Sequence, residues 1–132
     1  MKLFNNTFDV LQRAMDLRAE RHGILTSNIA NSETPGFHAQ EVDFSGELQK
    51  ALGQPTEELS KTSPMHMDLT SASGAHIVPD TSAPMGADGN NVDLDIEMGK
   101  LGENSREYAN AATWLGVQLR LLKTAARGRV GG

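Results

Sequence analysis

"LDIEMGKLGENSREYANAATWLGVQLRLLKTAA", Leu94 to Ala126, decides the fold. Apolar or small residues recur at Leu94, Met98, Leu101, Ser105, Tyr108, Ala112, Leu115, Leu119, Leu122 and Ala126. The steps alternate between four and three, the period of a helix that packs along a seam on another helix. The preceding "DGNNVD", 88–93, is a turn with cap candidates Asn91 and Asp93, and Gly128 is a stop signal. The pattern predicts a helix over 92–127, about 54 Å long at 1.5 Å per residue. A compact globule of this chain length spans only roughly 30 Å. An elongated molecule is expected.

A second seam runs through the N-terminus: Phe4, Phe8, Leu11, Met15, Arg18, His22, Leu25 and Ile29, again in steps of four and three. Asn6 and Asp9 suit its start, and a helix over 6–31 is expected. The simplest architecture is mainly α, an elongated pair of N- and C-terminal helices forming a coiled-coil-like layer. Leu17, Ile24, Trp114, Val117 and Leu121 fall off both seams. A two-helix hairpin leaves them wet, which suggests neighbours. Along one flank of the C-terminal helix run Gly102, Ala109 and Gly116, and Gly99 adds a third interior glycine. Each such glycine costs about 1 kcal/mol relative to alanine. The helix is marginal alone and suited to close packing.

Between the seams the texture changes. The chain divides into an N-terminal helix and turn, 1–34, a middle segment, 35–91, and a C-terminal helix with a Gly-rich tail, 92–132. The middle is rich in Ser, Thr, Pro and Gly, with sparse apolar residues. It reads as irregular and extended, with short strands near 65–69 and 75–78 and a short helix near 44–52. Alone, it cannot offset its ordering entropy.

Composition narrows the function. The chain has 132 residues, 38 % apolar and 5 % aromatic, with net charge −5 and no cysteine. One domain with a thin core is expected. An acidic chain is a poor partner for nucleic acid, although Arg120, Lys123, Arg127 and Arg129 gather at one end. Disulfides and thiolate chemistry are excluded. No apolar run approaches the roughly 20 residues of a membrane span, and "MKLFNNTFDVLQ" is interrupted by polar residues, unlike a cleaved secretory signal. The four histidines follow no metal-site spacing, and "DGNNVDLDIE" lacks the glycine and glutamate positions of a calcium loop. No catalytic, cofactor or metal site and no small-molecule substrate is expected.

The first helix ends in "SNIANSETPGF", Ser27–Phe37. Thr34 precedes proline and is pushed out of the helical region. Pro35-Gly36 suits the centre of a type II turn. Asn28 and Asn31 can bond free backbone carbonyls and amides around a helix end. "LTSNIANSETPGF" followed by "HAQEVDF" resembles the N-terminal signature of the bacterial flagellar axial rod and hook protein family. The residues that carry it are Asn28, Ile29, Asn31, Thr34, Pro35, Gly36 and Phe37. The block from Asp88 to Gly128 is similar to the C-terminus of proximal rod subunits in that family. Phe37 and His38 stand where Tyr and Lys are common.

The resemblance implies a structural subunit of the proximal rod of the flagellar basal body, a self-assembling motility protein. It further implies passage, unfolded, through the flagellar type III export apparatus, folding on assembly, and transmission of torque from motor to hook across the periplasm. Implied partners are copies of the same chain, the rod proteins FlgC and FlgF, FliE and the export gate. Alternatives are a rod subunit like FlgC, or a soluble helical coiled-coil adaptor sharing the seams. The assembly seams are expected to use Phe8, Leu11, Met15, Leu25, Leu101, Tyr108, Leu115, Leu119 and Leu122.

Overall fold

The computed structural model describes residues 2–53, 69–70 and 74–128. Two long helices dominate: α1, Lys2–Ala30, and α3, Leu94–Gly128. They pack against each other more extensively than any other pair of elements. Between them lie β1 (Gln40–Val42), α2 (Phe44–Ala51), β2 (Leu69–Thr70) and β3 (His76–Pro79). The strands form an antiparallel sheet in the order β1-β3-β2, with Glu41 opposite Val78 and Leu69 opposite Ile77. The motif "TSPMHM" and most of the expected 65–69 strand lie outside the described residues.

Helix ends follow local chemistry. Asp93 caps α3 by accepting from the Asp95 and Ile96 amides, and Asp95 and Glu97 sit in its first turn, where the dipole favours anions. Asp43 caps α2 through the Gly46 amide. After α1, the Phe37 amide donates to the Thr34 carbonyl and Gly36 has φ +72°, a type II turn centred on Pro35-Gly36.

Among the described residues the buried core is small and lies where the middle segment meets α1. Leu17, Val42 and Ala75 form it, with Ile24 and Phe44 packed alongside. Leu17, expected to be wet, is 0 % exposed because β1 and α2 cover that face of α1. Arg18 lies over the Phe44 ring, 4.0 Å from its centroid.

The seams are partly displaced. Leu25 is fully buried, and Phe8, Leu11, Met15, Leu101, Leu115 and Leu122 are half-buried. Tyr108 and Leu119, expected on the seam, are 40 % and 50 % exposed, and His22 is exposed as well. The physical reason lies in the buried row of α3. It contains Glu97 and Asn104 rather than Met98 and Ser105, and Asn104 Nδ2 donates to the Arg18 carbonyl of α1. These polar contacts turn α3 by about one residue relative to the apolar pattern.

Candidate functional site: a polar joint beneath an exposed helix

Polar side chains make up most of what is buried where the hairpin opens: Asn28, Glu47, Asp80, Asn90, Asn91, Glu97 and Asn104. Burying so many requires partners for each, and long-range hydrogen bonds supply them. The Asn28 amide donates to the Gln40 carbonyl at 2.8 Å and to Glu97 Oε2 at 3.0 Å, and its Oδ1 accepts the Gln40 amide at 3.1 Å. One side chain thus ties the end of α1 to β1 and to α3.

The turn is clamped by the segment before α3. Asn90 Nδ2 reaches the carbonyls of Asn31, Ser32 and Thr34 in the turn that follows α1. Asn91 accepts the Ala39 amide and donates to the Asp80 carbonyl. Main-chain bonds from Gly36 to Asp88 and from Asn91 to Phe37 complete the clamp. Asn31 acts locally: it donates to the Ser27 carbonyl and accepts from the Thr34 hydroxyl. Ile29 and Phe37 are half-buried, while Thr34, Pro35 and Gly36 are exposed.

Charges complete the joint. Arg21 grips Glu41 with two hydrogen bonds of 2.7 and 2.9 Å, and the carboxylate raises the Arg21 pKa against the effect of burial. Lys100 of α3 meets Asp80, Glu97, Glu41 and the Ser82 hydroxyl. Burial pushes Asp80 upward, but hydrogen bonds from Lys100 and Ser82 outweigh it and hold the carboxyl below its ordinary value. Glu47 behaves likewise: burial opposes ionisation, and Arg13, Lys50 and the His76 amide overcome it. Of the buried side-chain atoms described, Asn104 Oδ1 has no partner.

Asn28 and Asn31 are quoted together in the sequence pattern, yet they do different work. Asn90, Asn91, Asp80, Glu97 and Lys100 belong to the joint and were not singled out for it by sequence. Asn91 was read as a cap candidate, the right chemistry with a nearer partner. The three polar residues Asn90, Asn91 and Asp93 on either side of Val92 were the available signal.

The arrangement has the character of a mechanical joint. It fixes the register of two helices and leaves much of α3 uncovered. Trp114, Leu119 and Leu121 are 63 %, 50 % and 54 % exposed, with Leu94, Ile96 and Met98 also open. No helix among the described residues is long and apolar enough to cross a membrane.

No protein-family model matches the chain. Curated relatives match it over nearly their whole length. The flagellar basal body rod protein FlgB of Salmonella typhimurium is 37 % identical, covering 89 % of this chain and 90 % of the relative. The same-named protein of Yersinia enterocolitica is 39 % identical over 83 % and 85 %, and that of Aeromonas hydrophila 35 % over 95 % and 96 %. Likeness of this extent places the chain in the flagellar basal body rod protein FlgB family.

Proposed function

We propose that the chain is a structural subunit of the flagellar basal body rod, at its proximal end, and that it works by packing rather than by chemistry. The observation that carries this reading is the uncovered α3: a run of large apolar side chains stays open on a helix whose register a polar joint fixes. Exposed apolar surface on this scale marks an interface. In the assembled rod, neighbouring copies and other rod components cover it. FlgC, FlgF, FliE and the export gate are the neighbours in this proposal.

Export and folding belong to the same reading. The chain passes unfolded through the flagellar type III apparatus and completes its folding on assembly, crossing the periplasm as part of the rod. A small core and glycines inside α3 support a marginal monomer, and coupled folding and binding then supplies the missing burial. The hairpin layer carries torque from motor to hook as a rigid element. The assembly motif Asn28–Phe37 sets the angle at which the chain leaves α1.

Basal bodies purified from cells carrying an epitope-tagged copy test the assignment. The tag should travel with intact rods and resist washing at high salt. A tagged, functional protein found wholly in the soluble fraction would contradict it and favour a helical adaptor.

A further inference from the structure

Asn28 meets Glu97 and Arg18 meets Asn104, so α1 and α3 run antiparallel. The start of α1 and the end of α3 therefore share the end of the hairpin away from the joint. The chemistry there is one-sided. Lys2 opens α1, and the first acidic residue after it is Asp9. Arg120, Lys123 and Arg127 lie near the end of α3, and from Tyr108 to Gly128 there is no acidic residue. In a chain of net charge −5, the charged side chains of this end are cations alone. Among the described residues, Arg120, Lys123 and Arg127 have no ion-pair partner. Every residue from Lys123 to Gly128 is exposed. The helix dipole favours Arg127, in the last turn. It does not reach Arg120, about two turns earlier.

The same stretch is amphipathic. Trp114, Val117, Leu121 and Ala125 follow one another at steps of three and four and share a face. Trp114 is 63 % and Leu121 54 % exposed. Arg120 and Arg127 lie about a third of a turn round from that face. Thr113 and Thr124 fall on the border between the two. Their hydroxyls donate to the helix's own carbonyls, at Ala109 and Arg120, so the border offers a partner no free hydroxyl donor.

We infer that the end of α3, from Trp114 to Gly128, lies in the plane of an anionic lipid surface. Trp114 and Leu121 enter the boundary of the acyl chains. Arg120, Lys123 and Arg127 meet the phosphate headgroups, with their stems along the apolar boundary. Charge complementarity selects the occupant, since a basic amphipathic helix suits a negative interface. A convex helix face whose border hydroxyls are already satisfied suits fluid lipid better than a fitted protein groove. The helix is not apolar enough to span a membrane, so it lies on the surface. Leu94, Ile96 and Met98, toward the joint, remain open for packing against other proteins. The lipid contact does not depend on the rod reading, and either can fail without the other.

Trp114 is the only tryptophan in the chain, so its emission reports the contact. The purified full chain is mixed with vesicles of phosphatidylglycerol and phosphatidylcholine, and separately with vesicles of phosphatidylcholine alone. The anionic vesicles should carry the chain down on centrifugation and shift its emission to the blue. Brominated acyl chains should quench that emission, and added salt should weaken binding. Arg120→Glu with Arg127→Glu, or Trp114→Ser, should each raise the lipid concentration for half-binding roughly tenfold or more. Circular dichroism of each variant checks that its helices persist. Where the charge reversal costs helix, Arg120→Gln with Arg127→Gln takes its place. Failure to sediment with anionic vesicles would overturn the contact, as would equal binding to neutral ones. Folded variants that bind like the wild type would overturn it, and so would sedimentation without quenching. The same blue shift with polyglutamate would overturn it in favour of an acidic protein partner.

Discussion

Asn28 exchanges two hydrogen bonds with the main chain of Gln40, one in each direction, as a residue on a neighbouring strand would. Its amide also reaches the buried Glu97 carboxylate. Truncation removes one buried and two part-buried hydrogen bonds, and a polar group left without a partner costs about 1–3 kcal/mol. Asn28→Ala should therefore destabilise the purified chain by about 3 kcal/mol, and Asn31→Ala, whose bonds are local and exposed, by less than about 1 kcal/mol. Urea midpoints followed by far-UV circular dichroism check the contrast. Equal effects would remove the special place of Asn28.

Gly36 has φ +72° at the third position of the turn, where an L side chain is strained. Space is not the obstacle, since an added Cβ would meet nothing within 4 Å. Gly36→Ala should cost about 1 kcal/mol through the backbone alone. The same thermal or urea measurement tests this, and an unchanged midpoint would contradict it.

Acid should loosen the joint. Asp80 and Glu47 both have pKa values below their ordinary 3.8 and 4.5. A lowered carboxylate contributes stability that is fully present above its unfolded pKa and is lost as pH falls through the folded value. Stability should thus hold from neutral pH down to about pH 5 and fall below about pH 4.5, toward and past the lowered values. Lys100, with its pKa raised from 10.5, acts oppositely: its contribution is fully present below pH 10.5 and is lost as pH rises through the raised value. Melting temperatures of wild type and Asp80→Asn across acid pH check the sign. The variant should be less stable at pH 7 and show the smaller acid loss.

An added Cβ at Gly102 or Gly116 meets nothing within 4 Å in the isolated chain. Each lies inside α3, where alanine is favoured by roughly 1 kcal/mol. Gly102→Ala and Gly116→Ala should raise the melting temperature of the purified protein. If that flank is covered in the rod, Gly116→Leu should impair motility while leaving the monomer helical.

Both long helices were legible in the sequence because apolar spacing reports a helix that buries one stripe. Their rotation was not. Periodicity counts apolar residues, whereas the buried row of α3 includes Glu97 and Asn104. Strand β1 was missed because Gln40–Val42 offers only three residues, and its pairing with β3 is stabilised by tertiary contacts. Asn91 announced backbone capping through residue type, but it accepts from Ala39, more than fifty residues away, and Asn90, which reaches Asn31, was not singled out. Leu17 was placed outside the seam correctly; what covers it, the middle segment, could not be read from a pattern of two helices.

The central claim is that this chain builds the rod. Deleting its gene in the source bacterium and imaging cell envelopes by electron microscopy tests it most directly. The account predicts that rods and filaments disappear and that the wild-type gene restores both. Normal flagella in the deletion strain, with no second copy of the gene present, would contradict it.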